Sequence, residues 1–200
     1  VWSEVARGKV RRNPELASRP GVHTRRVLFA KPEVFVIADT FVPHDDAEHQ
    51  MQARWNLLTV RTETDDATKA VVTQFKGKPN LAVVPLLGKS LEARTAVGQE
   101  EPELLGWHVG KLGKNTRAST VLHTRKSAGT QHMLTILLPL RSGESLPVKA
   151  IRATGPTSAR VDLDDGRVWN VSAAPDPSGT VKFRETGADG SVLRKVQGSK

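Results

Sequence analysis

The sequence predicts an all-β fold, an antiparallel β-sandwich, and three observations predict it. Short segments of period-two patterning recur at spacings of about 8 to 12 residues. Turn signals punctuate them, among them Asp164-Asp165-Gly166, Asp176-Pro177-Ser178-Gly179 and Asp189-Gly190. No stretch carries the sustained 3.6-residue apolar period of an amphipathic helix.

Taken in order, residues 1–22 are rich in Arg, Lys, Asn and Pro without sustained periodicity, and predict a loop or a truncated approach to the first strand. Residues 23–200 predict one β-sandwich domain. His23–Phe29 and Val34–Asp39 are β-rich runs separated by Lys31-Pro32-Glu33, a hairpin with proline in its turn. Val42-Pro43-His44-Asp45-Asp46 makes the next turn. In the strand from His49 to Leu58, Met51, Ala53, Trp55 and Leu57 fall on one face, and Gln50, Gln52, Arg54 and Asn56 on the other. Further strands are predicted at Ala70–Phe75, Leu81–Leu86, Leu91–Val97, Thr120–Thr124 and Gln131–Leu138. The tail adds Val148–Ala153, Ala159–Leu163, Val168–Ala173, Lys182–Thr186 and Val192–Val196.

Composition narrows the chemistry. The 200 residues include no cysteine, which excludes disulfides, thiolate metal sites and cysteine nucleophiles. They include no tyrosine either, so a phenolic acid or base has to come from elsewhere. The net charge of +9 favours polyanionic company: nucleic acid, anionic lipid or an acidic polysaccharide. No apolar stretch approaches the roughly 18 residues of a membrane span, and no basic–aromatic interleaving signals nucleic-acid binding, so membrane and nucleic acid are not expected as partners. The start, Val1-Trp2-Ser3-Glu4, has no initiator methionine and no apolar leader core, and predicts a piece of a longer polypeptide.

Six histidines raise the question of metal. With a three-residue loop at 31–33, position 23 pairs with 41 and position 25 with 39. His23 and Asp39 then become diagonal neighbours on one face of the sheet. Imidazole and carboxylate together suit a divalent cation such as zinc, and the ordinary alternative is a His–Asp hydrogen bond at a sheet end. His49 and Asn56 on the next strand have opposite parity, so an undistorted strand separates them, and a neutral amide is a weak zinc donor. His44 lies in an acidic turn, while His108, His123 and His132 are scattered. Arginine suits carboxylate and sulfate because its planar fork donates two hydrogen bonds at once, and Arg25 and Arg26 are the candidate substrate contacts. As neighbours on a strand they point to opposite faces, so only one can face a given groove. Other basic clusters are Arg7, Lys9, Arg11 and Arg12, and Arg125-Lys126. Trp107 and Trp169 sit beside turns where a ring could stack on a sugar or anchor the core.

Val22-His23-Thr24-Arg25-Arg26-Val27-Leu28-Phe29, then Phe35-Val36-Ile37-Ala38-Asp39, then Glu48-His49 running into Arg54-Trp55-Asn56-Leu57, resemble the heparinase II/III family of polysaccharide lyases. The match is to the β region that follows that family's α/α-toroid. Gly106-Trp107 and Thr135-Ile136-Leu137-Leu138-Pro139 resemble its later segments, so the likeness runs from about His23 to Pro139, with the tail joined by pattern.

The resemblance implies a lyase cleaving uronic-acid-containing polysaccharides, such as alginate or heparin-like glycans, by β-elimination. It further implies a helical toroid domain as partner within the same protein and a periplasmic or secreted location. It assigns His23 and Asp39 to a zinc site whose third ligand, a histidine in the family, corresponds here to Asn56. A weak zinc site, a site with another ligand and a hydrogen-bonded polar cluster all remain open. In this family the acid–base work falls mainly to Tyr and His, with essential groups on the toroid. No catalytic residue is therefore assigned within these 200, and the isolated chain is expected to be inactive. A non-catalytic binding module for acidic polysaccharides is the competing reading.

Overall fold

The computed structural model of the chain describes residues 2–6, 9–12, 21–87, 91–110 and 114–198. Among them are eighteen strands and no helix. β1 (Trp2–Ala6) and β2 (Lys9–Arg12) pair antiparallel, so residues 1–22 are not simply the expected loop. Val5 pairs with Val10 there.

The centre of the molecule is a six-stranded antiparallel sheet. Its order is β3 (Gly21–Ala30), β4 (Val34–Pro43), β13 (Gln131–Leu140), β8 (Asn80–Pro85), β7 (Val71–Thr73) and β6 (Thr62–Thr64). The hairpin closes at 31–33, and its register pairs His23 with Phe41 and Arg25 with Asp39, as the loop length predicts.

Both faces of this sheet are covered. A three-stranded sheet, β5 (Glu48–Leu57), β12 (Ser119–Ala128) and β9 (Glu92–Val97), lies against one face. There Met51 and Ala53 pack with Met133, and Leu57 and Val121 pack with Val71 and Val83. A five-stranded meander covers the other face: β14 (Val148–Gly155), β15 (Ser158–Leu163), β16 (Val168–Ala173), β17 (Val181–Thr186) and β18 (Val192–Gln197). Its Val161, Trp169, Val171 and Phe183 share a core with Val36, Ala38, Leu134 and Ile136. β10 (Trp107–Val109) and β11 (Asn115–Arg117) form a small separate ribbon. The sandwich thus has three layers where two are predicted. The continuous apolar runs Leu81–Pro85 and Thr135–Leu138 belong to strands covered on two sides, which need no polar alternation.

Two arginines fasten the meander to the β3–β4 hairpin. Arg26 donates to the carbonyls of Ala174 (3.0 Å), Asp176 (3.1 Å) and Gly179 (2.9 Å). Reaching the opposite way from β18, Arg194 donates to the carbonyls of Ala30 and Lys31, stacks on Phe183 at 5.0 Å and pairs with buried Glu185 at 2.8 Å.

Candidate functional site

His23, Arg25 and Asp39 all have odd numbers on a regular hairpin, so their side chains leave the same face. Asp39 is 2% exposed, and both its oxygens are engaged. Oδ1 accepts from Arg25 Nε at 2.7 Å and meets His23 Nε2 at 3.0 Å, while Oδ2 accepts from Arg25 Nη2 at 2.9 Å. The Arg25 guanidinium also lies over the Trp55 ring, 4.9 Å from its centre. The Asp39 hydrogen bond raises the Arg25 pKa above its ordinary value although burial pulls the other way. The result is a buried carboxylate neutralised by a two-pronged cation that is itself sandwiched by an indole.

The juxtaposition of His23 and Asp39 inferred from the hairpin is therefore present. The residue that register alone brings closest to Asp39, its direct partner Arg25, is bonded to it too, so both of its forward donors are engaged within the protein. Arg26 leaves by the other face, where its two terminal nitrogens donate to the carbonyls of Ala174, Asp176 and Gly179 and to Thr40. Trp55, placed by the sequence pattern on one face of its strand with Met51, Ala53 and Leu57, belongs to this cluster. Its parity with Met51 and Ala53, on the face turned to the central sheet, was the available signal.

Asn56 does not join the cluster. It stands on the opposite face of β5 from Trp55, and its Oδ1 accepts from Thr120 Oγ1 at 2.8 Å; Thr120 in turn accepts from the Gly106 amide at 2.9 Å. Three histidine or carboxylate groups that could share a cation do not converge among the described residues. The residues present do not fit zinc. Two donors of the expected three are here, and the Arg25 cation already occupies both oxygens of the carboxylate that would hold the metal.

Of the other histidines, His49, His123 and His132 have structural partners. His49 bonds the Asp45 carboxylate and meets the Phe41 ring edge-on, and His44 and His108 are exposed. His132 sits against Thr40, its pKa lowered by burial and by the nearby Arg26 and Arg125 cations. Buried His123 contacts the Lys69 carbonyl at 3.2 Å, and burial lowers its pKa to about 4. Trp169 is buried and donates to Glu185, and half-buried Trp107 donates to the Gln99 carbonyl. Arg7 lies outside the described residues.

Two solved structures share this architecture. A mutant of heparan sulfate lyase HepC from Pedobacter heparinus aligns with a TM-score of 0.57 and 18% identity over 88% of this chain. The HepC structure without the mutation aligns at 0.56 and 18% over 86%. In each case the chain spans 23% of the neighbour's length. No family model and no curated protein matches. The likeness establishes a heparinase-like fold.

Proposed function

We propose that this chain is the β part of a polysaccharide lyase that cleaves uronic-acid-containing glycans by β-elimination, walling the substrate cleft beside a helical toroid domain of the same protein. One observation carries the reading: nearly the whole chain follows the fold of part of a heparan sulfate lyase. The motif order from His23 to Pro139 supports it independently. β-Elimination needs the uronate carboxylate neutralised, the C5 proton removed by a base and the leaving glycosidic oxygen protonated. No tyrosine is present to do either proton transfer, and the Asp39 carboxylate is taken up by Arg25 and His23. The acid and base accordingly lie outside these residues, in the toroid. A protein acting on extracellular polysaccharide belongs in the periplasm or outside the cell. The alternative of a binding module with an aromatic platform has little support among the described residues, where Trp169 is buried and Trp55 lies beneath Arg25.

The test is to incubate the chain with heparan sulfate, heparin and alginate and follow the ultraviolet absorbance of unsaturated uronide. No product is expected from the chain alone, with product appearing once the helical region encoded upstream is restored. Product from the chain by itself overturns the assignment of the chemistry to the toroid. An upstream region without helices bearing Tyr and His overturns the lyase reading.

A further inference from the structure

On the meander, odd-numbered residues of β15, β16 and β17 are buried and even-numbered ones point away from the core. Register then lines up one row across the outer face: Arg152 beside Arg160, Arg160 beside Asn170, Asn170 beside Arg184 and Arg184 beside Lys195. The adjacent row runs Ser158, Ser172, Lys182 and Gln197. Five cations therefore share a face with one carboxylate, Asp162, which Arg152 and Arg160 both hold, at 2.7 and 2.8 Å. Lys182, Arg184 and Lys195 have no side-chain partner among the described residues, and they line a shallow groove with Ser158, Asn170 and Ser172.

We infer that this outer face is a binding surface for an acidic polysaccharide, additional to any cleft formed with a toroid and independent of the lyase reading. Like charges held in register repel one another, so a row of them with one shared counter-charge is a cost to the fold that a polyanion relieves. Neighbouring strands lie about 4.8 Å apart, so Arg160 and Arg184, two strands apart, present their charges about 10 Å from each other and the row spans about 20 Å. That spacing is comparable to one disaccharide of an extended glycan, which carries its carboxylates or sulfates at that repeat and its hydroxyls between. The serines and asparagine between the cations match those hydroxyls. Nucleic acid fits less well: single strands are held by aromatic platforms, and no aromatic side chain points outward from this face.

The experiment measures binding of the full chain to a heparin oligosaccharide, an unsulfated oligouronate, neutral dextran and single-stranded DNA of matched charge. The variant is Lys182→Ala/Arg184→Ala/Lys195→Ala. It removes no hydrogen bond or ion pair among the described residues and should melt with the parent. The control, Arg61→Ala/Lys76→Ala/Lys78→Ala, removes equal charge from exposed positions elsewhere. The acidic glycans should bind in a salt-sensitive manner and lose about tenfold or more in affinity in the variant, with the control within about twofold and dextran not bound. The heparin and oligouronate arms separate sulfate from carboxylate recognition. Equal losses in variant and control reduce the effect to net charge and overturn the proposal. So does DNA binding as tightly as the glycans with the same dependence on these three residues.

Discussion

Asp39 shows how a single carboxylate is accommodated inside a sheet. Its neighbours on that face are aromatic or apolar, Phe41, Trp55 and Met133, and burial without a partner would be costly. Arg25 supplies two parallel hydrogen bonds, and His23 a third contact from a position that is half-open to water. Arg25→Ala leaves Asp39 with His23 alone and is expected to destabilise the chain by about 2 kcal/mol, less than for a fully buried pair because Arg25 itself is partly exposed. Arg25→Lys should recover only part of that, since an ammonium cannot reproduce the fork. Urea unfolding of the three proteins measures this, and a loss under about 0.5 kcal/mol for Arg25→Ala shows that the cluster contributes nothing. Parity and loop length made the His23–Asp39 contact legible in the sequence. They could not say which nearby group would satisfy Asp39 most fully, because that depends on where the long Arg25 side chain lies against Trp55, a residue of another sheet.

Between residues and sheets, the segment joining β9 to β12 is held by Gly106. Its φ is +70°, and a Cβ there would meet the Ala96 carbonyl oxygen at 2.6 Å and the Gly98 nitrogen at 2.7 Å. Its carbonyl accepts from the amides of Gly98 and Ala118, and its amide donates to Thr120, whose hydroxyl donates to Asn56. Asn56 therefore ends a hydrogen-bonded relay pinning this crossing, which is its role in place of metal ligation. Gly106→Ala combines a disfavoured φ with contacts to backbone that cannot move aside, and is expected to cost at least about 3 kcal/mol. Gly77→Ala is the comparison: its φ is +65° but open space surrounds it, so only the conformational part should be lost. Thermal melting of both separates the clash from the φ penalty, and equal losses refute the close-approach argument. At this scale the ten-residue strands were legible because they contain several periods. Of the four three-residue strands among the described residues, β7 lies within the apolar run predicted at Ala70–Phe75, while β6, β10 and β11 were not legible, since three residues carry no period and are set by their partners.

Across the whole molecule, the central sheet makes the two interfaces depend on each other, and the polar groups trapped in them set its response to pH. The third layer was the least legible feature, because a strand covered on both faces and a strand in a two-layer core can share one apolar run. His123 on β12 faces the layer between the three-stranded and central sheets. It is 1% exposed, its Nε2 reaches the Lys69 carbonyl, and its Nδ1 has no partner. Burial lowers its pKa from 6.5 to about 4, so the unfolded chain binds a proton in a range where the folded chain does not. Stability is then complete above pH 6.5 and is lost as the pH falls toward about 4, by about 3 kcal/mol over that interval. The carboxylates of Asp65 and Asp162 are held below their ordinary range, chiefly by the Thr68 hydroxyl and the Arg160 guanidinium respectively, so their contributions disappear at more acidic pH than that of His123. His123→Gln keeps a side-chain donor for the Lys69 carbonyl and removes the titration. Urea unfolding at a series of pH values should therefore show a steep loss between pH 6.5 and 4.5 in the parent and a much flatter line in the variant. Parallel lines for the two proteins would mean that His123 takes its proton without opening the layers, and that the acid sensitivity of this fold lies in its carboxylates.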